Sequence, residues 1–133
     1  VVFDGTDSFA PAAMEQPNIL AELLLAEPLD RRLFVKRIIA LGGDRVACCD
    51  GSGRLLLNGK PLIEQYLVQS AGAVKFDVEV PAGRMFVLGD NRSHSFDSRS
   101  LLGRPGGGMV NLDRVLGRVV AIAWPTARMR PIG

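Results

Sequence analysis

No run of apolar residues in this sequence approaches the roughly 18–20 that a helix needs to cross a bilayer. The best candidates are Ile19–Ala26, interrupted by Glu22, and Val119–Trp124. No basic, apolar leader opens the chain, and there is no initiator Met. Val1-Val2-Phe3 reads instead as the tail of a strand already under way, so the chain is expected to be a piece of a longer protein. Cysteine is scarce, with two residues, and histidine occurs once. No cluster of His, Cys and carboxylates has metal-ligand spacing, so neither a metal nor another cofactor is expected. Cys48 and Cys49 are adjacent. Neighbours in a strand point to opposite faces, which places these two poorly for a bridge, and both are expected to serve as small apolar side chains. An excess of one charge is lacking too: the net charge is +2, and the basic residues are scattered. That balance argues against a nucleic-acid partner.

What remains is the composition of an ordinary globular domain. Hydrophobic residues make up 47% of the 133 and charged residues 23%, enough for one compact core spanning residues 1–133. The 15 Gly and 8 Pro punctuate the chain into short segments and point to strands rather than long helices. Asp4–Asn18 reads as a surface loop, and Ile19–Ala26 as two helical turns ended by Pro28. Arg32–Leu41 and Arg45–Cys49, separated by Gly42-Gly43-Asp44, are rich in β-formers and read as strands. Leu55–Leu57 and Lys60–Ile63 flank Asn58-Gly59, a strong hairpin signal. Lys75–Val80 alternates apolar and charged residues as a half-buried strand does. Arg84–Leu88 is a continuous apolar strand, and Gly89–Ser100 a polar loop. Pro105–Gly108 is flexible, Asn111–Asp113 opens a helical turn, and Arg118–Trp124 is expected to be a last buried strand.

Two segments carry chemistry. The first is Phe34-Val35-Lys36-Arg37-Ile38-Ile39. Alternation places Lys36 on the face of Phe34 and Ile38, with Arg37 opposite. Desolvation on an apolar face disfavours the ammonium form and draws the amine from about 10.4 toward neutrality, the condition for a lysine general base. The plainer alternative, an edge-strand lysine snorkelling into water, is favoured if the strand is taken alone. The second segment runs from Leu88 to Arg99, with two arginines, carboxylates and three hydroxyls in one loop. Asp97 with Arg99, or Asp90 with Arg92, has the chemistry for a bidentate pair that stiffens the loop, while Ser93, Ser95 or Ser98 orients a neighbour. Taken alone, this segment reads more readily as a solvated turn. A Ser/His/Asp site built on His94 and Asp97 is disfavoured, because His94 sits mid-turn. Gly42-Gly43-Asp44 lacks the rest of a phosphate loop.

Taken together, these segments resemble the type I signal peptidases. In that family an aromatic–aliphatic–Lys–Arg strand leads into Gly-Leu-Pro-Gly-Asp, and Phe34 through Asp44 follows that pattern. The family's Gly-Asp-Asn-Arg-x-x-Ser-x-Asp-Ser-Arg box is matched at every fixed position by Gly89 through Arg99. Asn58-Gly59-Lys60 matches the intervening hairpin turn, and Gly117-Arg118-Val119 the closing strand. The resemblance covers about residues 32–125.

The resemblance implies a mainly β fold, coiled antiparallel β-sheets of the signal peptidase/LexA-like type with little helix. It implies a membrane-anchored serine endopeptidase that removes signal peptides from exported preproteins. Its catalytic domain would lie on the extracytoplasmic side of the cell membrane, tethered by segments outside this chain. Lys36 resembles the general base of a Ser/Lys dyad, and Ser95 the hydroxyl that orients its amine. Asp97 and Arg99 resemble the supporting ion pair, and Gly89 and Asp90 the tight turn that presents it. Phe34 and Val35 are expected to line the pocket for small side chains before the cut. Ala40 and Gly42 depart from the family's usual Gly and Pro. The family's nucleophile lies in a Ser-Met-x-Pro segment ahead of a Val-Val-Phe strand, so it is expected before Val1, and the chain alone is expected to be inactive. Two alternatives stand beside this one: a self-cleaving LexA-type Ser/Lys domain, which the full Gly89–Arg99 box disfavours, and a β-domain that binds peptides without cutting them.

Overall fold

The computed structural model describes residues 1–9, 33–67, 74–122, 127 and 129–131. Within them lie strands β1 (Val2–Asp4), β2 (Leu33–Val35), β3 (Arg37–Leu41), β4 (Arg45–Cys48), β5 (Leu55–Leu57) and β6 (Lys60–Pro61). After these come β7 (Phe76–Glu79), β8 (Arg84–Leu88), β9 (Val110–Asn111), β10 (Val115–Gly117), β11 (Ala121–Ile122) and β12 (Arg130–Pro131). The helical elements with both ends among the described residues are the 3-10 turns Ser98–Leu101 and Leu112–Arg114. The fold is mainly β, as expected, and every strand pairing is antiparallel. The helical turns expected at Ile19–Ala26 fall outside the described residues.

The strands form sheets β10-β1-β2, β3-β8-β9, β6-β5-β4-β7 and the pair β11-β12. β8 is the central element, and this explains its unbroken apolar sequence. Its side chains alternate between two cores: Phe86 and Leu88 join Ile39, Val46, Leu55 and Val80, while Met85 and Val87 join Phe3, Phe9, Leu101 and Val110. A strand with apolar packing on both faces needs no polar residue on either. Asn58 and Gly59 both take positive φ, 52° and 78°, as a two-residue turn matched to strand twist requires.

Three expectations change. The strand expected over Arg32–Leu41 is two strands in two sheets, and the break is Lys36. β2 pairs with β1, whereas β3 pairs with β8. At the switch the Lys36 N–H donates to the Val1 carbonyl at 3.0 Å, and the Val1 nitrogen donates to the Lys36 carbonyl at 2.7 Å. The segment from Arg118 is not buried: its strand is only Ala121–Ile122 within the described residues, Val120 is 67% exposed, and its partner is the peripheral β12. Apolar composition there reflects exposed apolar surface and not core. Finally, Cys48 and Cys49 are joined as a disulfide. The alternation that argued against a bridge assumes a trans peptide. The bond between these residues is cis, their Cα atoms are 3.0 Å apart, and both side chains turn to one side.

Candidate active site

Lys36 sits at the switch between β2 and β3, its backbone bonded to Val1, and the loop that follows β8 meets its side chain. The Lys36 ammonium or amine nitrogen, Nζ, lies 2.8 Å from the Ser95 hydroxyl oxygen, although 59 residues separate them in the chain. Lys36 is half-buried. Its pKa is held below the ordinary 10.5, first by desolvation; the Asp97 carboxylate opposes this and the Arg99 guanidinium assists it. A neutral amine can accept a proton, and the lowered pKa makes that form more accessible than in an exposed lysine.

Asp97 anchors the loop beneath this pair. Its side chain is fully buried, and its two oxygens accept from Arg99 Nε at 2.9 Å and Nη2 at 2.8 Å. It also accepts from the Gly89 N–H at 3.2 Å. Ser98, buried next to it, accepts from the Val87 N–H and donates to the Gly108 carbonyl. Ser98 therefore fastens the loop to β8 and does not face Lys36. Gly89 is a glycine for a steric reason: a Cβ there would lie 2.6 Å from the Ser95 Cβ and 3.5 Å from Lys36 Nζ. The close approach of backbone to Ser95, and not a positive φ, sets this requirement.

The second carboxylate of the loop has a different partner from the one the spacing suggested. Asp90 pairs with Arg37 at 2.8 and 2.9 Å, not with Arg92. Arg92 is buried and pairs with Glu64 at 2.6 and 3.1 Å. The Tyr66 hydroxyl donates to the same Glu64 at 2.6 Å, and the Arg37 guanidinium lies 3.7 Å from the centre of the Tyr66 ring. Burial, with the neighbouring Glu64, pushes the Tyr66 hydroxyl up to about 12. The sequence reading missed Glu64 and Tyr66. The only available signal was that the chain's single tyrosine stands two residues after a carboxylate, just past the Asn-Gly hairpin. His94 is exposed and contacts Ser93, and Asp97 is occupied by Arg99, so the residues of a Ser/His/Asp triad are not brought together.

Lys36 opens on a cleft of about 480 Å³ with apolar walls of Val1, Val35, Ile38 and Val119 and a polar end of Arg37, Asp90 and Arg118. Val35 thus lines the cleft, but Phe34 does not. Phe34 stacks on Phe3 at 5.9 Å between ring centroids and packs against Phe9, because strand alternation turns it into the aromatic cluster behind β1.

A half-buried lysine amine with a lowered pKa thus lies beside a serine hydroxyl and opens on a largely apolar cleft in a mainly β fold. The family model for signal peptidase, peptidase S26, matches residues 2–124, and the chain belongs to this family. It is 38% identical over 129 residues to a probable signal peptidase I of Mycobacterium leprae, covering 80% of this chain and 44% of that protein. It is 38% identical over 108 residues to signal peptidase I U of Bacillus subtilis, covering 74% of this chain and 54% of that one. A crystal structure of a signal peptidase I from Enterococcus faecalis superposes with a TM-score of 0.53 at 32% identity, over 65% of this chain and 81% of the other. The chain spans about half the length or less of these sequence relatives. Among the described residues no helix is long and apolar enough to cross a membrane.

Proposed function

We propose that this chain is the catalytic part of a membrane-anchored endopeptidase that removes signal peptides from exported preproteins by a Ser/Lys dyad. The observation that carries the reading is the 2.8 Å contact of Lys36 Nζ with Ser95 at the end of the apolar cleft, together with the lowered pKa of that amine. Lys36 is the general base, and Ser95 holds its amine in place. Gly89, Asp97 and Arg99 hold Ser95, and the Arg37–Asp90 pair closes the polar end of the cleft. Val35 forms part of the surface that receives small side chains before the cut.

The nucleophilic serine is assigned to residues that precede Val1. Val1 lines the cleft and exchanges hydrogen bonds with the Lys36 backbone, so a chain entering Val1 passes directly beside the lysine. In the proposed reaction the serine oxygen attacks the scissile carbonyl while neutral Lys36 takes its proton. The resulting ammonium gives that proton to the departing amine as the peptide bond breaks. Water then hydrolyses the acyl-enzyme, with Lys36 again taking and returning a proton. A backbone N–H beside the nucleophile stabilises the oxyanion, and this too precedes Val1. The substrates are signal peptides, and the cleft opens on the extracytoplasmic side of the cell membrane.

The test incubates the 133-residue chain, and a version extended upstream through a Ser-Met-x-Pro segment, with a peptide carrying an Ala-x-Ala site. The extended version is expected to cleave, and to lose cleavage on Lys36→Ala, while the shorter chain is inactive. Cleavage by the shorter chain that depends on Lys36 would place the nucleophile within residues 1–133 and overturn the assignment.

A further inference from the structure

The contacts around Lys36 and Ser95 form a closed circuit, and part of it lies outside the Phe34–Ile39 and Leu88–Arg99 segments described above. From Ser95 the circuit passes to Gly89, whose backbone packs against it. The Gly89 carbonyl accepts from Arg92 Nε at 3.0 Å. Arg92 makes its bidentate pair with Glu64 in surroundings where the two side chains are 0% and 8% exposed. Glu64 accepts from the Tyr66 hydroxyl, and the Tyr66 ring supports the Arg37 guanidinium. Arg37 is the next residue after Lys36, and Lys36 Nζ returns to Ser95. A second strut runs from Arg99 to the Arg92 carbonyl at 2.7 Å.

We propose that Glu64 and Tyr66 are positioning residues for the catalytic lysine: the segment carrying them ties the β2–β3 junction that bears Lys36 to the loop that bears Ser95. The proposal rests on the peptidase reading for its kinetic consequence, but its geometric consequence stands without it. Lys36 and Ser95 are 59 residues apart in the chain; the β3–β8 ladder ties their elements only as far as Arg37 and Leu88, and one hydrogen bond of ordinary strength does not by itself fix the loop beyond Leu88 that bears Ser95. The Glu64–Tyr66 segment joins them from behind through a buried charge pair, a hydroxyl bond and a cation–π contact. A buried arginine without its carboxylate is costly, so Arg92 holds Glu64 strongly, and the hydroxyl transmits that fixed point to the ring under Arg37. The charged groups that act on Lys36 are Asp97 and Arg99 from the loop, with Arg37 and Asp90 at the same end of the cleft. Tyr66→Phe changes none of these charges and keeps the ring under Arg37. A shift in Lys36 on mutating Tyr66 therefore reports position and hydration, not a lost neighbouring charge.

The experiment has two arms. In the first, the Lys36 amine of the 133-residue chain is titrated by NMR in the wild type, Tyr66→Phe and Glu64→Gln, with Arg45→Gln at an exposed pair as the control. Tyr66→Phe keeps the ring and the fold and cuts only the hydroxyl link. Loosening the circuit admits water to Lys36, so its pKa is expected to rise by about half a pH unit or more in both variants and to stay put in the control. In the second arm, the upstream-extended version is assayed on the Ala-x-Ala peptide. For Tyr66→Phe, kcat is expected to fall about 3- to 10-fold with KM unchanged, and the acid limb of the pH profile to move up with the Lys36 pKa. Tyr66→Leu should lose more, with Phe rescuing part of the loss. A Lys36 pKa unchanged in Tyr66→Phe overturns the proposal. Should Glu64→Gln fail to fold, Tyr66→Phe decides alone. Absence of cleavage by the extended wild type would overturn the peptidase reading, and the titration would still decide the positioning role.

Discussion

Gly89 stands so close to Ser95 that a methyl group on its α-carbon would lie 2.6 Å from the Ser95 Cβ. Its N–H is held by Asp97 and its carbonyl by Arg92, so the backbone cannot swing away to make room. Gly89→Ala is expected to push Ser95 off Lys36 Nζ and to lower turnover of the upstream-extended enzyme on the order of 100-fold, since a misplaced catalytic group costs about that much. Gly103→Ala, where a new Cβ meets nothing within 4 Å, is the control. Equal activity of both variants would separate Gly89 from the site.

The two kinds of ion pair in this protein predict different costs. Asp97 is fully buried against an Arg99 side chain that is 8% exposed. Asp97→Ala removes the buried carboxylate that pairs with that guanidinium and accepts from the Gly89 N–H, and is expected to destabilise the fold by about 3–5 kcal/mol. Asp77→Ala removes the partner of an Arg45 side chain that is 67% exposed, and should change stability little. Urea melts of the two variants measure the difference. Equal midpoints would mean that the Asp97–Arg99 pair is solvated.

Much of this contrast was legible in the chain and some was not. The strand character of Arg84–Leu88 follows from its composition, and the Asn58-Gly59 turn from the left-handed conformations that only such residues tolerate well. The pairing of Asp97 with Arg99 was legible through the family resemblance, since spacing alone offered Asp90 with Arg92 equally. The pairings Arg37–Asp90 and Arg92–Glu64 were not, because they join residues 53 and 28 positions apart, and the local alternative, Asp90 with Arg92, was chemically equal. Likewise, strand alternation put Lys36 on the face of Phe34 with Arg37 opposite, but Phe34 turns into the aromatic cluster while Lys36 and Arg37 both line the cleft, because the chain changes sheet at Lys36 and the alternation does not run through. Buried position was misjudged for the segment from Arg118 because apolar content does not tell a core strand from an exposed one.

Ser95→Ala removes the hydroxyl that holds the Lys36 amine and leaves the buried supports Asp97, Ser98 and Arg92 in place. Thermal stability should change little. Turnover of the extended enzyme should fall on the order of 100-fold, with KM unaltered, because the loss is one of orientation. Ser98→Ala should do the reverse: it deprives the Val87 N–H of its acceptor inside the core, so it lowers stability while leaving the Lys36 contact intact. If Ser98→Ala instead abolished turnover in the folded protein and Ser95→Ala did not, the two serines would have to exchange roles.

Lys36→Met is expected to stabilise the protein, and the size of the gain should depend on pH in one direction. In the unfolded chain the amine titrates near its ordinary 10.5, and in the folded chain below it, chiefly because of desolvation. Between those two values the unfolded chain binds more protons than the folded one, so the wild type gains stability as pH rises through that interval. Below the folded pKa the folded protein bears the whole cost of a partly desolvated ammonium, and above 10.5 both states are neutral and the cost vanishes. Methionine carries no such cost at any pH. Its advantage should therefore be largest and constant on the acid side of the folded pKa, and should shrink steadily as pH climbs toward 10.5. Packing differences between the two side chains add an offset but no slope, so the slope alone decides. Urea melts of both proteins across this range measure it. A difference that is flat with pH would mean that Lys36 is fully hydrated in the folded chain and charged like any surface lysine, and a general base could not then be built on it.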